Sequence, residues 1–98
     1  MNVGVREELR RDAARYIWWE RPEDALRRPN RVIAQVMDIG DFEDVCRLVA
    51  VLGLDELKKV LLHAEAGWFN DRSWSYWCYR LGVTKPGEPL PPAPRRMA

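Results

Sequence analysis

The sequence is short of the groups that usually carry chemistry. It has one histidine, His63, and two cysteines, Cys46 and Cys78, which stand 32 positions apart. They form no CxxC pair, and a single imidazole cannot complete a zinc site with them. Two free thiols in a reducing compartment are therefore expected. No glycine-rich phosphate loop is present; Gly40, Gly53, Gly67 and Gly82 each stand where a helix should stop. No apolar run approaches the roughly 20 residues that span a bilayer. The opening MNVGVREELRR turns charged at once and lacks the apolar stretch of a signal peptide. These features point to a cytoplasmic protein. An enzyme would need a nucleophile with a base, a carboxylate pair in a pocket, a metal or a phosphate loop. The acids at Asp38, Asp41, Asp55 and Glu56 are better explained as helix caps and first-turn charges. His63 falls near a helix end, where a cation is favourable. No catalytic residue, metal or cofactor is assigned, and action by binding is expected.

What is present suits one folded domain. At 98 residues, two independent cores are implausible. A hydrophobic fraction of 47% with 32% charged residues is that of a globular chain. The net charge is only +1 but unevenly spread. Residues 1–31 carry eight arginines against six acids, residues 38–56 six acids against Arg47 alone, and residues 58–98 seven bases against three acids. A nonspecific nucleic-acid binder usually has a strong basic excess. An acidic middle between basic ends instead suits solvated helix faces, or an acidic patch at Asp41, Glu43 and Asp44 for a basic protein partner.

The periodicity is helical throughout. Residues 5–19 place Val5, Leu9, Ala13, Tyr16 and Ile17 at helical spacing, and Pro22 ends or turns that segment. Residues 22–26 can add one turn. Pro29-Asn30 opens a second long element with an apolar stripe through Val32, Ile33, Val36 and Met37, which Ile39 could extend, stopped by Gly40. Asp41 caps the next helix, whose expected buried face is Phe42, Val45, Cys46, Leu48, Val49 and Leu52, up to Gly53. Asp55 caps another, with Leu57, Val60, Leu61 and Ala64 inward. Asn70, Asp71 or Ser73 caps the last, which runs to Leu81 before Gly82. The expectation is an all-α fold: a compact bundle of about five short helices over residues 1–84. Residues 85–98 hold five of the seven prolines and should form a flexible, extended tail ending in Arg95-Arg96.

The aromatic block is the most unusual feature. Trp68, Phe69, Trp74, Tyr76, Trp77 and Tyr79 put six aromatics in twelve residues. On a helix, Trp74, Trp77, Cys78 and Leu81 share one face and should enter the core. Tyr76, Tyr79 and Arg80 fall on other faces, and Trp68 and Phe69 precede the helix. Trp, Tyr and Arg are enriched at binding hot spots, so these five are the expected partner contacts. Trp18 and Trp19, being adjacent, cannot both face one way. A DNA-binding alternative has one foothold: two short helices joined at Gly53, in helix-turn-helix manner, with Lys58 and Lys59 exposed. The second of those helices opens with Asp55 and Glu56, a charge unfavourable beside phosphates.

The segments IWWERPEDAL, RVIAQVMDIGDFEDV and GWFNDRSWSYWCYRLGV, within residues 16–83, resemble small bacterial proteins encoded beside nucleotidyltransferase-like toxins of the AbiEii type. The resemblance implies an antitoxin-like role, in which a small protein binds and restrains the toxin encoded next to it. It transfers no functional residue position by position. The chain also lacks the winged-helix part that some such antitoxins carry.

Overall fold

The computed structural model describes residues 3–94. The fold is all-α, with six helices: α1 (Val3–Tyr16), α2 (Pro22–Ala25), α3 (Pro29–Ile39), α4 (Phe42–Leu52), α5 (Leu54–Leu62) and α6 (Asp71–Arg80). The sixth element beyond the expected five is the single proline-initiated turn α2.

Helix α3 is the hub. Val32, Ile33, Ala34, Val36 and Met37 are all buried; they form a broad apolar arc, opposite Arg31, Gln35 and Asp38, that takes more than one neighbouring helix to cover. It packs against α1, α2, α4, α5 and α6. The buried side chains form one cluster, drawn from Leu9, Ala13 and Ile17 near α1, Leu48 of α4, Leu57, Val60 and Leu61 of α5, and Trp77 and Cys78 of α6. The exit from α3 requires glycine for lack of room: a Cβ at Gly40 would lie 2.4 Å from the Val36 carbonyl oxygen. Gly53, the single residue between α4 and α5, has φ +85 and ψ 158, a region essentially open only to glycine.

Three local expectations change. Helix α1 stops at Tyr16, and Ile17–Glu20 form a turn in which Glu20 N–H donates to the Ile17 carbonyl at 3.3 Å. Pro22 holds Arg21 extended (φ −70, ψ 145), so the chain must leave the helix before it. Trp18 and Trp19 therefore sit at a corner, 78% and 53% exposed, edge to face with each other. Helix α5 begins at Leu54, one residue before Asp55. Its N-cap is Gly53, without a side-chain cap, and Asp55 lies in the first turn. On α4, Phe42 and Cys46 are exposed, contrary to the expected apolar face. Leu48 is that face's fully buried member, with Val45, Val49 and Leu52 half-buried beside it.

Asp41 caps α4 as expected, accepting from Asp44 N–H at 2.9 Å. Of the three candidates Asn70, Asp71 and Ser73, Asn70 caps α6 by accepting from Ser73 N–H at 2.8 Å. Helix α6 is anchored to the hub in two places. Trp77 Nε1 donates to the Met37 carbonyl at 2.8 Å. Asp38 accepts from Asn70 N–H at 3.0 Å and from the Ser73 hydroxyl. Trp74, Trp77, Cys78 and Leu81 enter the core. After α6 the chain has no further helix among the described residues. It returns along the globule: Ala93 packs against the core, and Trp74 Nε1 donates to the Pro91 carbonyl at 2.8 Å. The Arg95-Arg96 pair lies outside the described residues. No helix among those described is long and apolar enough to cross a membrane.

Candidate functional site: an open groove between the fourth and sixth helices

Helices α4 and α6 both pack on α3 but leave a gap between them. The gap is a groove of about 480 Å³. Met37 and Trp77 lie at its base, Phe42, Val45 and Cys46 form the α4 wall, and Arg72, Tyr76 and Arg80 form the α6 wall. The α6 residues stand at i, i+4 and i+8, so the helical period lines them up along one edge. Tyr76 is 52% exposed and packs edge to face on Trp77. Arg80 donates to the Tyr76 hydroxyl at 2.9 Å and stacks over the Trp77 ring at 5.2 Å. These contacts hold the guanidinium at the groove with donors still free. Phe42 is 82% exposed and so forgoes most of the roughly 2 kcal/mol that burying a phenylalanine contributes.

A polar seam behind this groove fixes the angle between α1 and α4. Glu8, Asp12 and Tyr16 repeat at i, i+4 and i+8 along α1 and face Asp44 and Arg47 of α4. The Tyr16 hydroxyl donates to the buried Asp44 carboxylate and accepts from Asp41 N–H at 3.1 Å. Asp44 also pairs with Arg47, and with Arg15 at 3.2 Å. Arg47 Nε lies 3.5 Å from Glu8 Oε1, an ion-pair distance without hydrogen-bond geometry. Asp12 is 1% exposed, and neither of its carboxylate oxygens has a hydrogen-bond partner among the described residues. Burial, then the neighbouring Glu8 charge, raises its pKa from 3.8 to about 7, against the opposing pull of Arg47, Arg11 and Arg15.

The structure divides the residues expected to meet a partner. Tyr76 and Arg80 line the groove. Trp68 and Phe69 lie instead in a separate recess of about 680 Å³ with Arg28, Arg31 and Glu65, where Arg31 lies over the Trp68 ring at 5.8 Å. Phe69 is buried against Trp74, because its ring closes the core where the loop enters α6, and it offers little contact surface. Tyr79 is 44% exposed and does not line the groove. Asp41 and Glu43 are exposed at the start of α4, Asp41 bonded to Arg15 at 2.8 Å. Asp44 is withdrawn from the expected acidic patch. It is 1% exposed and taken up by Tyr16, Arg15 and Arg47.

Phe42 and Cys46 are the groove residues that periodicity misplaced. On a helix of this pattern they extend the apolar stripe, and only the position of α6 leaves them uncovered. Arg72 was absent from the expected contacts because a lone arginine near a helix start carries no signal of its own. On α5, Lys58 is half-buried and Lys59 bonds Glu56 at 3.1 Å. His63 ends that helix, exposed, with Nδ1 2.8 Å from the Lys59 carbonyl oxygen. No group of three His, Cys, Asp or Glu side chains among the described residues is placed to hold a metal ion. No family model, curated protein or solved structure matches the chain.

Proposed function

We propose that this chain is a protein-interaction module, an antitoxin-like partner that binds and restrains a nucleotidyltransferase-type toxin, and that the α4–α6 groove is its contact surface. One observation carries the reading of the groove: Phe42 and Tyr76, 82% and 52% exposed, edge a common apolar base beside Arg80. Aromatic and arginine side chains that a rigid scaffold leaves in the open are the usual anchors of protein contacts. The toxin as partner is supported by the sequence resemblance, and the exposed acid Glu43 suits a basic toxin surface. The mode of action is occupation. A folded toxin surface buries the Phe42 ring and the Tyr76–Arg80 edge, and the small domain then obstructs what lies beneath it.

The test is co-expression with the nucleotidyltransferase-type toxin encoded beside the gene, followed by affinity co-purification and a growth assay. A stable complex and restored growth are expected from the native chain, and loss of both from Phe42→Asp. Absence of any complex with the native chain refutes the proposal. Retention of the complex by a folded Phe42→Asp variant moves the contact surface elsewhere.

A further inference from the structure

The same groove carries the features of a surface that binds its own copy. A two-fold pair requires one patch to hold both halves of each contact, so that residue i of one copy meets residue j of the other and the reverse. Here the two halves lie side by side. Phe42 is a knob that edges the groove without filling it, at 82% exposure. The hole is the apolar base at Met37 and Trp77, with Val45 of the α4 wall beside it.

The charges are arranged in the same way. Glu43 follows the knob and has no partner among the described residues. The other acids near it are occupied, Asp38 by Asn70 and Ser73 and Asp41 by Arg15. On the opposite wall stand Arg72, without a partner among the described residues, and Arg80, whose side chain among those residues is tied to the Tyr76 and Trp77 rings and the Tyr76 hydroxyl. A two-fold rotation that seats each Phe42 in the other copy's hole also brings α4 of one copy to α6 of the other. Glu43 then faces Arg72 and Arg80 across the interface, twice.

The geometry points to a second copy of this chain as the occupant of the α4–α6 groove when no other partner is bound, in an isologous dimer with Phe42 as its interlocking residue. This rests on the reading of the groove as a protein-contact surface. It adds that a heterologous partner must displace the second copy.

Cys46 makes the arrangement testable, since it lies exposed on the α4 wall whereas Cys78 is buried. Analytical ultracentrifugation of the purified full chain at tens of micromolar should give twice the 11.5 kDa of one chain. A short bismaleimide, each of whose ends adds a thiol across its double bond, should join two copies through Cys46, and Cys46→Ser should abolish the product. Phe42→Glu should raise the dissociation constant at least about tenfold and suppress the cross-link in parallel. Glu43→Arg alone and the Arg72→Glu/Arg80→Glu double variant alone should each weaken the dimer by like-charge contacts. Mixing these two variants should restore it as a heterodimer, because both ends then carry opposite charges again. Circular dichroism on every variant separates loss of assembly from loss of fold. A single-chain mass at all concentrations overturns the inference, as does a dimer that survives Phe42→Glu with its fold intact, or a mixture that fails to re-form. None of these results touches the toxin reading, which stands or falls on co-purification.

Discussion

Replacing Asp12 by asparagine tests the account of the α1–α4 seam. The carboxyl is enclosed without a hydrogen-bond partner among the described residues, and its pKa stands at about 7 in place of 3.8. The unfolded chain releases this proton near pH 3.8, the folded chain only near 7. Between those values the folded chain holds one more proton than the unfolded one. Stability therefore falls as pH rises through this window and levels off above it. At about 1.4 kcal/mol per unit, the shift amounts to about 4 kcal/mol if the seam stays closed around the charge. Admission of water beside the ionised group would lower that to about 2 kcal/mol. Asparagine keeps the shape and cannot ionise. Urea unfolding of both proteins at pH 4, 5, 6, 7 and 8 isolates the effect, because every other titrating group is common to the pair. The stability difference, variant minus native, should climb from near zero at pH 4 to a plateau of about 2–4 kcal/mol by pH 8, in favour of the variant. A difference that does not change with pH, or a variant less stable than the native chain at pH 8, refutes the reasoning.

The aromatic block should separate into core and surface on substitution. Trp77→Phe removes the bond to the Met37 carbonyl and leaves a void at the α3–α6 contact, and chemical denaturation should show a loss of about 2–4 kcal/mol. Tyr79→Ala, on a 44% exposed side chain, should change stability by no more than about 0.5 kcal/mol. Gly53→Ala forces a side chain into φ +85, ψ 158 and should cost about 1–3 kcal/mol in the same assay. Thiol titration of the native protein under non-denaturing conditions should show one fast-reacting group, Cys46. Cys78 should react only on unfolding, since it is buried and burial also raises its thiol pKa.

The helices and most of the core were legible without coordinates, because both rest on local physics. Helical spacing of apolar residues, a proline at the start of α3 and a glycine after it, and side-chain caps at Asp41 and Asn70 all act within a few residues of chain. The division of the last helix into a core face of Trp74, Trp77, Cys78 and Leu81 and an outer face of Tyr76, Tyr79 and Arg80 followed from its period alone. The candidate site was only partly legible. Tyr76 and Arg80 were named, but the wall they face was not, because a stripe of apolar residues reads the same whether or not another helix covers it. Phe42 and Cys46 belong to such a stripe, and they are open because α4 and α6 each dock on α3 and leave a groove between them. Asp44 and Asp12 show the converse. Asp44 was expected in an exposed acidic patch and Asp12 carried no signal of its own, yet packing of α1 on α4 enclosed both, one among arginines and a tyrosine and the other with no hydrogen-bond partner among the described residues. What the sequence determined by itself was which segments become helices and which residues must leave water. What only the tertiary structure decided was which apolar residues find no neighbour and which charges do. The physical reason is that burial depends on distances between segments far apart in the chain, and no local pattern encodes these.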